Sequence, residues 1–165
     1  MTHPYITHLQ SFAESDERGP LAALRRGLGQ QPGTVAEMYR YVVPWLPESP
    51  SQTQEAAYYL VASLFAFHPK STSIGNMGTH MSQARTLASD EALERRFGAL
   101  LAAHREDLPV YLRQAVSYLK SKDVLVNWDE LFRDLQQWHY QDRRVQKRWA
   151  REFWRRRGEQ TATSE

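Results

Sequence analysis

The residues whose type and spacing could do chemistry are concentrated near the carboxyl end of the chain. Eight basic residues and a single acid, Glu152, lie between Arg143 and Arg157, so this segment carries a net charge of +7. The other 13 basic and 18 acidic residues give the remainder a charge of −5, and the overall +2 conceals this asymmetry. Guanidinium groups bind phosphate through paired hydrogen bonds, and a concentrated positive charge indicates a polyanionic partner.

Helical spacing places these cations on one face. Angles around the helix axis are counted from Val145 at 100° per residue. Trp149 and Phe153 then lie within about 80° of Val145, and the basic residues cover the arc from about 160° to about 300°. We expect a helix over residues 143–157, capped by Asp142, that docks through its apolar side. The contact residues predicted on its basic side are Arg143, Arg144, Lys147, Arg148 and Arg151.

A basic helix face of this kind has several interpretations. A solvated charge run is the usual one, but this face has a single sign with almost no counter-charge and repels itself unless an anion relieves it. We therefore interpret it as a nucleic-acid contact. A basic amphipathic helix can also lie on an anionic membrane, and that interpretation stays open, although no stretch approaches the ~20 apolar residues of a membrane span.

Basic residues on other predicted helices flank buried faces and could extend the same surface. Each of them is equally an ordinary surface charge or the partner of an acid such as Glu94 or Glu106. They are Arg25, Arg26, Arg40, Arg95, Arg96, Arg105, Arg113 and Lys120.

Other kinds of chemistry find no support in the sequence. The chain has no cysteine, which excludes a disulfide scaffold, a thiolate metal site and a thiol nucleophile. Its six histidines form no metal-binding motif, and no nucleophile elbow, P-loop or dinucleotide fingerprint occurs. We expect no catalytic residue, no metal and no cofactor. The amino terminus lacks the features of a signal peptide, so a cytoplasmic protein is expected.

Helical periodicity dominates the chain and predicts an all-α fold. Apolar residues recur at helical spacing and strand-like alternation is almost absent. We expect a compact bundle of about eight or nine helices, either as one bundle or as two packed sub-bundles. Residues 1–157 are interpreted as a single nucleic-acid-binding domain and residues 158–165 as a flexible tail. The stretch Gln52–Phe67 is apolar nearly all round, which predicts a helix at the centre.

Local signals predict several further elements. Val35–Val42 carries a helical apolar stripe, and further helices are expected over residues 79–88 and over Leu93–His104, the latter with Ser89 as its cap. The β-branched segment Lys122–Val126 predicts a local extended stretch.

The helix expected to begin at Trp128 has a capping-box-like start. Asn127 stands at the cap position and Glu130 lies three residues later. Trp128, Trp138 and Trp149 fall on apolar faces, so we expect core packing for all three.

Six segments of the sequence follow the pattern of one known family in order and spacing. They are Leu24–Leu28, Met38–Val42 with Pro44 behind it, Tyr59–Ala62, Leu93–Phe97 with Leu100 and Leu101, Leu112–Val116 and Val145–Glu152. In these segments the chain resembles CasB, the small subunit of the type I-E CRISPR surveillance complex called Cascade. The resemblance runs from about Leu21 to Trp154, and the order and spacing of its segments, rather than any one motif, make it specific.

The resemblance implies a non-catalytic, all-helical protein that pairs with a second copy of itself. It also implies partners: CRISPR guide RNA, target DNA, the repeated backbone subunit and the large subunit of the complex, but not a membrane. Family members bind nucleic acid without sequence preference and steady the guide–target hybrid and the displaced strand. The contact residues carried over from the family are Arg25, Arg26, Arg40, Arg96, Arg113, Arg143 and Arg144.

Two other function classes are kept beside this one. The chain could be a helical protein–protein adaptor whose basic helix meets an acidic partner, and binding of purified protein to DNA at low salt distinguishes the two. A helical nuclease is the third class, and it lacks a recognisable metal–carboxylate cluster in the sequence.

Overall fold

Nine α-helices and no β-strand make up residues 1–155, the part of the chain that the computed structural model describes. The predicted all-α fold class is thereby confirmed. The predicted tail 158–165 and the last two arginines of the basic run, Arg156 and Arg157, lie outside the described residues. The helices are α1 (Pro4–Glu14), α2 (Arg18–Arg25), α3 (Tyr39–Val42), α4 (Gln52–Phe67), α5 (Met77–Gln83), α6 (Asp90–Ala102), α7 (Leu108–Ser121), α8 (Trp128–Gln136) and α9 (Arg144–Phe153).

Helix α4 forms the centre of the molecule, as its apolar pattern predicts. Ser51 caps it by accepting a hydrogen bond from the Gln54 N–H at 3.1 Å. Every residue from Ala57 to Ala66 is buried, and α2 and α8 pack against this helix. The buried apolar side chains of the described residues form one continuous cluster around it. A helix with no polar face needs such neighbours on all sides.

Helix α9 docks onto α5 by an unusually close backbone approach. Val145, Trp149 and Phe153 are completely buried on one side of α9, as the helical wheel predicts. A Cβ atom added at Gly78 of α5 would overlap the backbone carbonyl of Trp149. Only glycine therefore permits this crossing, and the apolar side of α9 is fixed in the core.

Arg85, just after α5, ties this crossing to α6. Its guanidinium lies 3.9 Å from the centroid of the Phe153 ring, and it forms ion pairs with Asp90 at 3.3 Å and Glu94 at 3.1 Å. Because Arg85 is largely buried, these pairs help to fix the relative positions of α6 and α9.

Several predicted element boundaries are wrong. The segment expected as one helix over Val35–Val42 forms a 3-10 turn at Ala36–Met38 and then the single α-helical turn α3. A second 3-10 turn follows at Val43–Trp45. The helix expected over residues 79–88 is α5, which ends at Gln83.

Capping interactions explain where the other helices begin. Asn76 and Thr79 form a capping box that starts α5 two residues earlier than expected. Ser89 stands at the cap position of α6, as predicted, but its hydroxyl bonds to the side chains of Thr86 and Tyr118 and makes no capping hydrogen bond to the helix backbone. The predicted cap of α8 is confirmed, because the Glu130 N–H donates to the Asn127 side chain at 3.1 Å.

The extended stretch expected before α8 occurs at its last residue. Val126 forms an isolated parallel bridge with Ser71, and its carbonyl accepts a hydrogen bond from the Thr72 N–H at 3.0 Å. Among the described helices, none is long and apolar enough to cross a membrane.

Candidate nucleic-acid interface

The basic side of α9 forms the first candidate contact surface. Four of the predicted contact residues lie on it, all exposed and opposite the buried side of the helix. We call this set the α9 surface; it consists of Arg144, Lys147, Arg148 and Arg151.

Arg144 is already engaged by a carboxylate of the loop that precedes α9. Its guanidinium donates to both oxygens of Asp142, with Nη2 at 2.7 Å from Oδ2 and Nε at 3.2 Å from Oδ1. This pairing lowers the pKa of the Asp142 carboxyl and raises the pKa of Arg144. The guanidinium also lies 4.8 Å from the centroid of the Tyr140 ring. Arg144 is consequently held in place over the loop.

Arg148 is tied to α8 by a buried carboxylate. Its Nη2 donates to Asp134 at 2.9 Å, and its Nη1 lies 4.0 Å from Glu130. Asp134 is only 2% exposed and also accepts a hydrogen bond from the Trp149 indole at 2.7 Å. Burial raises the pKa of Asp134 to about 6, although its bonds to Trp149 and Arg148 act in the opposite direction.

The expectation that the basic face has almost no counter-charge is therefore wrong for Arg144 and Arg148. Their partners come from the preceding loop and from α8, which the wheel of a single helix does not show. Lys147 and Arg151 are different, since neither has a carboxylate within 4.0 Å among residues 1–155. Their side chains are the part of the α9 surface that can meet an incoming anion without breaking an ion pair.

Arg143 stands at the junction between the loop and α9 rather than inside the helix. Its backbone is left-handed, with φ 53° and ψ 38°, and its side chain donates to the carbonyl of Leu101 at the end of α6. The cap that was predicted for Asp142 is present in part, because its carboxylate accepts from the Arg144 N–H at 3.2 Å.

A groove between α6 and α7 forms the second candidate surface. It has a volume of about 830 Å³ and brings together Arg96 of α6 and Arg113 of α7. The Arg113 guanidinium lies against Gly29, where a Cβ atom would be 2.7 Å from its Nη1. Neither arginine has a carboxylate within 4.0 Å among the described residues. We call this feature the α6–α7 groove.

The remaining predicted contact residues are exposed but lie apart from these features or are already paired. Arg25 ends α2, and Arg26 forms an ion pair with Glu37 at 3.2 Å. Arg40 lies 5.2 Å from the centroid of the neighbouring Tyr41 ring. Lys120 turns toward the end of α4, where its ammonium donates to the carbonyl of Phe67 at 2.9 Å.

Sequence reasoning missed the polar residues that complete the α6–α7 groove. Gln114, Ser117 and Ser121 line it beside Arg113, and Arg95 lines a smaller neighbouring hollow. The signal for two of them is present in the sequence, since Ser117 and Ser121 follow the predicted Arg113 at intervals of four residues on the face of α7 away from the core. Over residues 1–155, no three metal-ligating side chains are grouped around a common point.

A family model and a curated relative identify the same protein family. The family model described as CRISPR-associated protein Cse2 matches residues 20–154. A curated CRISPR-associated protein Cse2 from Thermus thermophilus is 34% identical over 134 residues, which cover 81% of this chain and 77% of that protein.

Solved structures show the same likeness in three dimensions. CasB from M. ruber superposes with a TM-score of 0.75 at 30% identity, covering 96% of this chain and 98% of that one. A chain of a CRISPR RNA-guided surveillance complex superposes with a TM-score of 0.80 at 26% identity, covering 98% of this chain and 99% of that one.

Proposed function

The chain belongs to the Cse2 family of CRISPR-associated proteins, and from this premise we propose that it is the non-catalytic small subunit of a type I-E CRISPR Cascade complex. The resemblance to CasB predicted from the sequence is confirmed. The observation that carries the proposal is the similarity, over nearly the full length of both chains, to a chain of a CRISPR RNA-guided surveillance complex.

In this role the protein holds nucleic-acid backbone without reading its sequence. Lys147 and Arg151 on α9, and Arg96 and Arg113 in the α6–α7 groove, offer cations that no carboxylate of the described residues neutralises. Such cations bind phosphate by releasing the counterions condensed on the nucleic acid. Base pairing between guide RNA and target DNA supplies the sequence specificity, and this subunit stabilises the hybrid and the displaced strand in antiviral defence.

The partners in this proposal are other proteins of the same complex as well as nucleic acid. They are the repeated backbone subunit, the large subunit and a second copy of this chain. Within such an assembly a weak contact to the strand is strengthened, because linked sites act at high effective concentration.

Salt dependence of binding tests the proposed contacts. We would measure the affinity of purified protein for fluorescently labelled single strands and duplexes of unrelated sequence, between about 50 and about 200 mM salt. Lys147→Ala with Arg151→Ala, and separately Arg96→Ala with Arg113→Ala, are each expected to reduce the slope of log K against log salt by roughly one to two. All sequences should bind alike.

The matched control removes two positive charges elsewhere. Lys70 and Arg133 are paired with Asp123 and Asp129 and belong to neither candidate surface. Lys70→Ala with Arg133→Ala should leave the slope unchanged. An equal reduction in the control would mean that net charge alone, rather than the proposed surfaces, determines binding.

Two further outcomes would favour other functions. An absence of nucleic-acid binding at low salt, together with capture of an acidic protein that depends on Lys147 and Arg151, would indicate the adaptor. Cleavage of the labelled strand by pure protein on addition of Mg²⁺ would contradict the non-catalytic role.

A further inference from the structure

A cleft between two loops lies at the amino-terminal end of α9. It has a volume of about 440 Å³ and separates the loop after α6, residues 103–106, from the loop between α8 and α9, residues 138–143. Pockets that hold small molecules begin at about 300 Å³. We call this feature the loop cleft.

Hydrogen bonds from the loop between α8 and α9 to the end of α6 and to the loop that follows it fix the walls of the cleft. The indole N–H of Trp138 donates to the carbonyl of Ala103 at 3.0 Å, and the Arg143 guanidinium donates to the carbonyl of Leu101. The Gln146 amide in turn donates to the Trp138 carbonyl at 3.0 Å. Trp138 is buried, so the floor of the cleft is a rigid part of the core. A ligand would enter a site that is already formed, which limits the entropy lost on binding.

The charges around the cleft favour an anion. Arg105 and Arg143 line it from opposite loops, and neither has a carboxylate within 4.0 Å among the described residues. The Arg105 guanidinium donates to the Thr53 hydroxyl at 2.7 Å, which positions it without neutralising it. Glu106 is the acid among the lining residues, so the two arginines leave a positive balance. Two guanidinium groups facing one space suit a phosphate.

An exposed aromatic ring adds a second kind of contact. Tyr140 lines the cleft and is 39% exposed, although the Arg144 guanidinium lies 4.8 Å from its centroid and the His139 ring meets it edge-on at 4.9 Å. Nucleic-acid bases stack on such rings when they are not paired and stacked within a duplex. A phosphate site beside an open aromatic ring therefore points to an unpaired nucleotide.

We propose that the loop cleft holds one nucleotide of a single strand, with its phosphate between Arg105 and Arg143 and its base against Tyr140. The inference rests on the proposed function and adds to it a place where an unpaired nucleotide is held and the residues that hold its phosphate and its base. Arg143 and Arg144 connect the cleft to the α9 surface, so a strand lying over Lys147 and Arg151 can reach it.

The test separates the base from the backbone. We would compare, by fluorescence anisotropy, the affinity for an oligothymidine with that for an abasic strand of the same length. Wild type should bind the oligothymidine more tightly than the abasic strand by roughly fivefold or more, because the loss of one stacked base lowers affinity by about that factor. Tyr140→Ala should abolish this preference and leave affinity for the abasic strand unchanged, while Tyr140→Phe keeps the preference.

Two control variants test whether the preference for bases belongs to Tyr140 and whether the arginines of the cleft bind phosphate. Tyr39 is exposed to a similar extent on α3, and Tyr39→Ala should keep the preference for the oligothymidine. Arg105→Ala with Arg143→Ala should weaken binding of both strands by the same factor, because phosphate is common to them. Circular dichroism of each variant confirms that the helices remain folded.

The outcomes distinguish this proposal from the one on which it rests. Equal affinity of the wild type for both strands, or a preference that survives Tyr140→Ala, would overturn the loop cleft and leave the proposed function standing. Failure to bind either strand at low salt would overturn the nucleic-acid role itself.

Discussion

Two glycines in helices show how the same residue type can have opposite effects on stability. A Cβ at Gly78 would overlap the Trp149 carbonyl, whereas a Cβ at Gly98 of α6 meets nothing within 4 Å. Because a backbone carbonyl cannot move aside as a side chain can, Gly78→Ala must separate α5 from α9. We expect it to lower the free energy of unfolding by about 3 kcal/mol, measured by urea denaturation.

Gly98→Ala is the matched control for this change. It exchanges the same two residue types in a helix with free space around the new methyl group, so it should raise the free energy of unfolding by about 1 kcal/mol. A similar destabilisation by both substitutions would mean that the close crossing of α5 and α9 is not what requires glycine at position 78.

Individual residues were predictable where a single helix decides their environment. Trp128, Trp138 and Trp149 are buried, as their positions on apolar faces predict. The partner of Arg148 was not predictable in this way, because Asp134 lies on another helix and the two meet only when α8 and α9 pack. The same limit explains why the meeting of Arg96 and Arg113 could not be inferred from spacing alone.

At the scale of the element, α9 has two pairs of cations with different tasks. Arg144 and Arg148 are held by carboxylates, whereas Lys147 and Arg151 have none within 4.0 Å among residues 1–155. We expect Arg144→Ala with Arg148→Ala to lower stability, chiefly because the buried Asp134 loses its charged partner, whereas the exposed pair of Arg144 with Asp142 contributes little. Lys147→Ala with Arg151→Ala should change stability little and nucleic-acid affinity more.

Thermal unfolding and anisotropy on the same two variants decide this prediction. Both variants remove two positive charges from one helix, so any difference between them reflects pairing rather than net charge. Equal losses of nucleic-acid affinity and equal unfolding temperatures in the two variants would contradict the prediction, because the ion-paired and the unpaired cations of α9 would then contribute alike.

Helices were easier to predict than their ends. The wheel of α9 places its buried side correctly, but the helix begins at Arg144 after a left-handed residue and ends at Phe153. The start of α5 is fixed by the reciprocal bonds of Asn76 and Thr79, a pattern that differs from the usual serine or threonine cap with a later glutamate. The amphipathic period of a helix is a property of many residues, whereas the position of a helix end depends on one or two hydrogen bonds.

At the scale of the whole molecule, the helical periodicity of the sequence predicts the fold class correctly. The net charge of the sequence does not predict how charges are distributed in the folded protein. The all-round apolar pattern of residues 52–67 predicts a central helix, and the structure confirms it. The positive charge of the basic segment is partly balanced by Asp134 and Asp142, which belong to the acidic remainder of the chain. Asp142 is a neighbour of Arg144 in the sequence, but only tertiary packing brings Asp134 to Arg148.

Two buried titratable groups give the whole molecule opposing responses to pH. Burial raises the pKa of Asp134 to about 6 from 3.8, so its contribution to stability is complete below pH 3.8 and is lost as pH rises through 6. Burial lowers the pKa of His80 to about 4 from 6.5, so its contribution is complete above pH 6.5 and is lost as pH falls through 4. Each amounts to roughly 3 kcal/mol, and between pH 4 and 6 they largely cancel.

Substituting one group at a time should expose the response of the other. Relative to wild type, Asp134→Asn should lose stability as pH falls from 6 to 4, because the gain from protonating Asp134 is gone. His80→Gln, which keeps an acceptor for the Asn127 N–H that His80 binds at 3.0 Å, should instead gain stability over the same range. Urea midpoints of the three proteins at pH 4.5, 5.2 and 6 measure both differences, and two differences of the same sign would contradict the opposing roles because the remaining titrations are common to all three.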